Sequence, residues 1–254
     1  MSELLHFSEH TLQEAALLIM ASVYVLRLRW LLRFKAGRDR QAPTALPGSS
    51  RTRGIVYSWA NVAMPWAMES TRAKFPIYAQ FVIFHLGVAA AIGLSFIIPY
   101  APRLLESPAL AWTLQVVIGA ACAVGLLRIY RRVANKTMRA ISSPDDYFSL
   151  VLLTVWFVFA FLSVPNRPEQ GEAVLLTYFI MTAFFLIYVP FSKISHYLYY
   201  PFTRYYFGRT MSHRGVFPLR RARQPAATPA AAFNPAAGLR PLAANGPAND
   251  ITRQ

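Results

Sequence analysis

Acidic residues are scarce in this chain. Eleven Asp and Glu stand against 26 Lys and Arg in 254 residues, and both signs together make up only 15% of the sequence. A soluble domain carries about a quarter. So few charges cannot solvate a globule of this length, and they are clustered. Cysteine is nearly absent: Cys122 stands alone in an apolar stretch. One thiol excludes an internal disulfide, a c-type haem attachment and an iron–sulfur cluster held by this chain. No catalytic triad, phosphate loop, zinc-finger spacing or internal repeat is present. What remains is apolar: 55% of the residues are hydrophobic, with a mean hydropathy of +0.33. These features exclude an ordinary soluble enzyme and a disordered protein, and they imply an integral membrane protein with basic faces.

A bilayer core needs roughly 20 apolar residues in a helix. Five stretches qualify: 12–32, 77–99, 110–129, 147–164 and 173–196, the last with an aromatic continuation to 207. The expected fold is all-α, with five transmembrane helices in a membrane domain over 1–218. Residues 219–254, rich in Pro and Ala, read as a disordered cytoplasmic tail. The basic residues set the orientation. In a five-span arrangement 24 of the 26 lie on one side, and only Arg103 and Arg167 lie on the other. That predicts an outside amino terminus, an inside carboxyl terminus and a multi-pass protein of the inner (cytoplasmic) membrane. The start is unlike a secretory signal: Glu3, Glu9 and Glu14 come first, and the first base, Arg27, follows the apolar run. The first helix is therefore expected to stay as an anchor. The net charge of +15 needs no nucleic-acid partner, because bases flanking spans and anionic lipid account for it.

Of five histidines, His6 and His10 precede the first span and His213 follows the last. Only His85 and His196 fall in membrane segments, where an ionisable residue is a functional candidate by default. Two imidazoles from two helices can fill both axial positions of one b-type haem, which then transfers electrons and has no open site for oxygen. Gly87, with Ala89, Ala90, Ala91 and Gly93 after it, suits close approach of a flat ring. The bland reading has His85 bonding a carbonyl across helices and His196 at the interface. Depth is a difficulty. His85 lies about 12–16 Å from the inner end of its helix at 1.5 Å per residue, whereas His196 lies near the inner boundary. They meet if the fifth helix tilts or the boundary lies further along. Lys193, one turn before His196, either pairs with a haem propionate or snorkels to the surface.

Four motifs carry a resemblance. PFSKISHYLYYPFTRYYFGR (190–209) and FVIFHLGVAAAIG (81–93) resemble the ligand segments of the last and second helices in the respiratory nitrate reductase gamma subunit family. AMPWAMESTR (63–72) and ISSPDDYFSL (141–150) are similar to segments of the membrane cytochrome b subunits of Dsr, Hme and Tmc redox complexes. The resemblance spans about 55–218. It implies five helices, haem b ligated by His85 and His196, quinone as exchangeable substrate, and a heterodisulfide-reductase-like iron–sulfur partner on the cytoplasmic side. Further membrane or periplasmic subunits fit the same picture. The chain is then the electron-transfer subunit of a quinone-linked oxidoreductase complex. The alternative is a non-haem membrane anchor of such a complex; a transporter is disfavoured by the few polar residues in the spans. The family's two-haem members have further ligands where this chain has Ser95, ten after His85, and Tyr178, eighteen before His196. Both outer ligands are missing together, so one haem is expected, with His10 as an open route to a second. By position alone, Tyr178 is a candidate to line a quinone pocket.

The other two motifs read mainly as structure. Trp66, Glu69 and Arg72 fit an interfacial helix, with partner or propionate contact as the functional alternative. Ser142 or Ser143 is expected to cap the fourth helix, with Pro144 in its first turn and Asp145 and Asp146 favouring its dipole. The competing role for that acidic pair is partner docking or proton relay.

Overall fold

The computed structural model describes residues 2–35, 37, 39–45, 49–67 and 69–218. The expected tail therefore lies outside the described residues. Among those described there is no strand. Ten α-helices follow in order: α1 Glu3–Glu9, α2 Thr11–Arg33, α3 Arg51–Ala60, α4 Glu69–Ala73, α5 Phe75–Tyr100, α6 Pro108–Ala134, α7 Lys136–Ala140, α8 Pro144–Ser163, α9 Ala173–Tyr188 and α10 His196–His213.

Five helical segments among the described residues are long and apolar enough to cross a bilayer: Glu3–Arg33, Phe75–Tyr100, Pro108–Ala134, Pro144–Ser163 and Ala173–Phe191. This is a multi-pass membrane architecture. Each expected span falls on one of them, but the ends differ for local reasons. Residues before the first expected span are helical too, because the Ser2 hydroxyl accepts from the Leu5 amide at 3.2 Å and starts α1. Pro108 and Pro144 open α6 and α8 from the first turn, where a missing N–H costs nothing. At α8 the Asp146 carboxylate accepts from both the amide and the hydroxyl of Ser143, 2.8 Å each, so the cap belongs to Ser143.

Helix α6 packs between α5 and α8, and α9 packs between α8 and α2. Small residues bring the axes close, as packing in lipid requires. A methyl group at Gly87 would lie 2.0 Å from the Ala121 side chain of α6, and one at Gly125 would lie 2.5 Å from the Thr154 hydroxyl of α8. The interior is aromatic: Trp156, Phe157, Tyr178 and Phe179 are buried together. Their polar ends are satisfied, since Trp156 donates to Thr182 at 2.8 Å and Tyr178 to the Ala91 carbonyl at 2.5 Å. Tyr178→Ala is expected to destabilise the bundle by about 3 kcal/mol, read as a lowered thermal midpoint in detergent.

The fifth span departs from expectation. A helix running on through 196 does not form; α9 stops at Tyr188. Pro190 has no N–H to give and its ring crowds the preceding turn. Two 3-10 turns follow, Val189–Phe191 and Lys193–Ser195, and the Ser192 hydroxyl accepts from the Ile194 amide at 3.2 Å. Helix α10 then begins anew at His196.

Helix α10 packs along α3, a pairing that no apolar run announces. The two backbones touch. A methyl group at Gly54 would sit 1.6 Å from the Ser212 hydroxyl, and one at Gly208 would sit 2.7 Å from the Ile55 Cα. Trp59 donates its indole N–H to the Pro201 carbonyl at 2.9 Å, and Arg204 donates to the Asn61 side chain.

Candidate functional site

His85 sits ten residues into α5, on the side opposite the α6 contact. Its Nδ1 lies 2.7 Å from the Phe81 carbonyl one turn earlier. His196 is the first residue of α10, and its Nδ1 lies 3.0 Å from the Lys193 carbonyl. A carbonyl can only accept, so in each ring Nδ1 carries the hydrogen and Nε2 keeps its lone pair. That tautomer suits metal ligation through Nε2, with the second hydrogen bond fixing ring orientation. Both side chains are exposed on the bundle surface.

The two rings meet. Their centroids are 6.3 Å apart and their planes lie at 78°. This proximity brings two imidazoles from separate helices within reach of one shared metal ion. The chain break at Pro190, rather than a tilt of the fifth helix, resolves the depth difficulty, because it lets His196 start a separate helix beside α5. Among the described residues no group of three or more His, Cys, Asp or Glu side chains forms a metal cluster. A metal between these rings thus takes two protein ligands and needs its remaining positions filled by a group such as a porphyrin. The donor set fits a bis-histidine haem.

The other expected site residues fall elsewhere. Gly87 faces Ala121, so its missing side chain serves the α5–α6 contact. Lys193 donates to Asp146 at 3.1 Å and to the Ser143 hydroxyl at 2.6 Å, which ties the turn before His196 to the cap of α8. In this structure its amine is engaged by that cap while most of the side chain stays exposed. The Lys193 side chain is 61% exposed, so a double-mutant cycle with Asp146→Asn and Lys193→Met should give a coupling of only about 0.2–1 kcal/mol. Asp145 accepts from Tyr188 at 2.5 Å, closing the same end of α8 against α9. The acidic pair is thereby committed to structure.

Tyr178 lines no pocket, being fully buried and stacked 6.2 Å from Trp156. Ser95 lies within hydrogen-bonding reach of its hydroxyl. Ser95 and Tyr178, both singled out in the sequence, thus meet each other inside the bundle. The remaining histidines do not converge from separate helices. His6 and His10 stand on adjacent turns, 4.7 Å apart, and His10 packs on Tyr100 at 5.4 Å, fifteen residues from His85 along α5. His213 lies at the far end of α10 with Nε2 2.9 Å from the Gln41 carbonyl.

Two features near the histidine pair were not anticipated. The Arg128 guanidinium lies 4.9 Å over the Phe84 ring, next to His85, with no ion pair among the described residues. Its sequence signal was there: it precedes Arg131 and Arg132 by one turn, inside the apolar run of α6. Tyr24 of α2 meets Tyr197 through a hydroxyl–hydroxyl contact of 2.5 Å, fastening the residue after His196 to the first span. Compared with family models, curated proteins and solved structures, the chain gives no match.

Proposed function

We propose that this chain is a membrane cytochrome b subunit, carrying electrons between the quinone pool and an iron–sulfur partner on its basic, cytoplasmic side. His85 and His196 hold one haem b. The observation that carries this reading is the convergence of two lone imidazoles from separate helices, each with Nδ1 pinned and Nε2 free. The resemblance of segments 81–93 and 190–209 to the nitrate reductase gamma subunit family points the same way, and so does the orientation drawn from the basic residues.

A haem held by these two residues would supply one-electron chemistry. The protein's part is to hold and orient. The Phe81 and Lys193 carbonyls set the tautomer of each ligand. Arg128 is the cation available to offset a carboxylate of the porphyrin, since Lys193 is already paired. The cap of α8 and the Tyr24–Tyr197 contact hold the turn that presents His196. The quinone stays exchangeable and its protons leave separately from its electrons. The partner expected is heterodisulfide-reductase-like.

A reduced naphthoquinol analogue added to the purified oxidised protein should produce the narrow absorbance bands of ferrous haem b. A pigment that dithionite reduces and no quinol reduces would contradict the link to the quinone pool. A colourless protein would favour the non-haem anchor.

A further inference from the structure

A cavity of about 390 Å³ opens at the far end of the α3–α10 pair, lined by Asp39, Arg51, Arg209, Thr210 and His213. Sites for small ligands run from roughly 300 to 1,000 Å³. Its polar groups are arranged for an anion. Asp39 is occupied: Arg214 Nε donates to one carboxylate oxygen at 2.8 Å and the Gln41 amide to the other at 3.3 Å. The Arg214 guanidinium, and after it the Gln41 amide, hold the Asp39 carboxyl below the usual range, so it stays ionised and paired. His213 is held by the Gln41 carbonyl, and Arg209 uses one Nη2 on the Gly37 carbonyl at 3.2 Å. That leaves the Arg51 guanidinium and the other Arg209 N–H donors, with the Thr210 hydroxyl, to face a ligand. Arg51 also opens α3, a ten-residue helix, so the positive end of that helix adds to the field.

The position favours a lipid over a free ion. Asp39 is six residues beyond Arg33, the end of the first span, and six residues of chain reach at most about 20 Å. The cavity therefore stays near the headgroup zone, on the side where 24 of 26 bases lie. We propose that this cavity holds the phosphate of an acidic phospholipid headgroup, gripped by Arg51 and Arg209. Guanidiniums match phosphate oxygens in pairs, and basic pockets beside spans recognise anionic headgroups. The proposal requires no haem and stands apart from the histidine site.

Lipid retention by the full chain in neutral detergent, measured by native mass spectrometry, tests it with three probes: phosphatidylglycerol, phosphatidylcholine and inorganic phosphate at matched ionic strength. Phosphatidylglycerol should bind several-fold more tightly than phosphatidylcholine, whose choline cation the two arginines disfavour, and R51Q/R209Q should weaken phosphatidylglycerol binding at least about tenfold; equal binding of the two lipids overturns the assignment to acidic headgroups. Arg53→Gln, on the same helix but not lining the cavity, should leave it unchanged. Equal affinity of wild type and R51Q/R209Q for phosphatidylglycerol overturns the site. Inorganic phosphate binding as tightly as phosphatidylglycerol overturns the lipid assignment. Should R51Q/R209Q not fold, R51K/R209K keeps the charge but loses the planar fork, and a several-fold loss is expected; full retention in that variant also overturns the proposal.

Discussion

His85→Ala and His196→Ala are each expected to abolish the b-type absorbance of the purified protein, while His6→Ala leaves it intact. Both target side chains are exposed on the bundle surface and each hydrogen-bonds only its own helix turn. Their loss opens no cavity and strands no buried partner, so helical circular dichroism should be unchanged. On the proposed function each variant removes one of the two imidazoles that would hold the haem, and His6, His10 and His213 lie elsewhere in the structure. The ring geometry adds a spectroscopic expectation. If both rings held one haem iron with the 78° between their planes kept, neither in-plane direction of the iron would be strongly favoured over the other. The oxidised wild type should then show a strongly anisotropic low-spin resonance dominated by one low-field feature. A rhombic low-spin triplet would indicate parallel rings and a site unlike this one.

The second large effect lies away from the histidines. Gly208→Val should lower both the thermal midpoint and the haem content. A Cβ there meets backbone, 2.7 Å from the Ile55 Cα and 2.8 Å from the Gly54 carbonyl oxygen. No flexible side chain can move aside, so α3 and α10 must separate. Overpacking of this kind costs about 1–3 kcal/mol. Because α10 begins at His196, a shift of the helix also moves the ligand. Gly93→Ala is the control, since a Cβ at Gly93 meets nothing within 4 Å; it should be neutral or slightly stabilising, as Ala favours helix. Equal behaviour of the two variants would mean that the α3–α10 contact does not hold His196 in place.

The spans were legible because lipid demands long runs with few charges, and such runs announce themselves. The Ser143 cap was legible for a similar reason: Ser-Pro-Asp-Asp before an apolar run has few other meanings. The α3–α10 pair was hidden. Its contact is made by two glycines and two serines scattered among Arg and Tyr, with no apolar stripe to mark a face. The helix break at Pro190, which ends α9 and lets His196 start a new helix, was hidden inside an apolar run that reads as one continuous span. Gly87 was ambiguous because glycine serves a macrocycle and a helix neighbour equally well in one dimension; the structure shows the helix neighbour, Ala121. Lys193 was ambiguous until Asp146, 47 residues away in sequence, proved to be its partner. Only half of the histidine pair was legible: His85 lies inside a span as expected, whereas His196 falls five residues beyond the end of the fifth span at Phe191 and not within it, because the helix breaks at Pro190.

The most direct measurement is a pyridine haemochrome assay on the purified full chain, set against protein concentration from amino-acid analysis. A b-type spectrum and about one haem per chain are expected, since His85 and His196 form the one pair of imidazoles that meet from separate long helices among the described residues. No haem, or two per chain, would contradict the account.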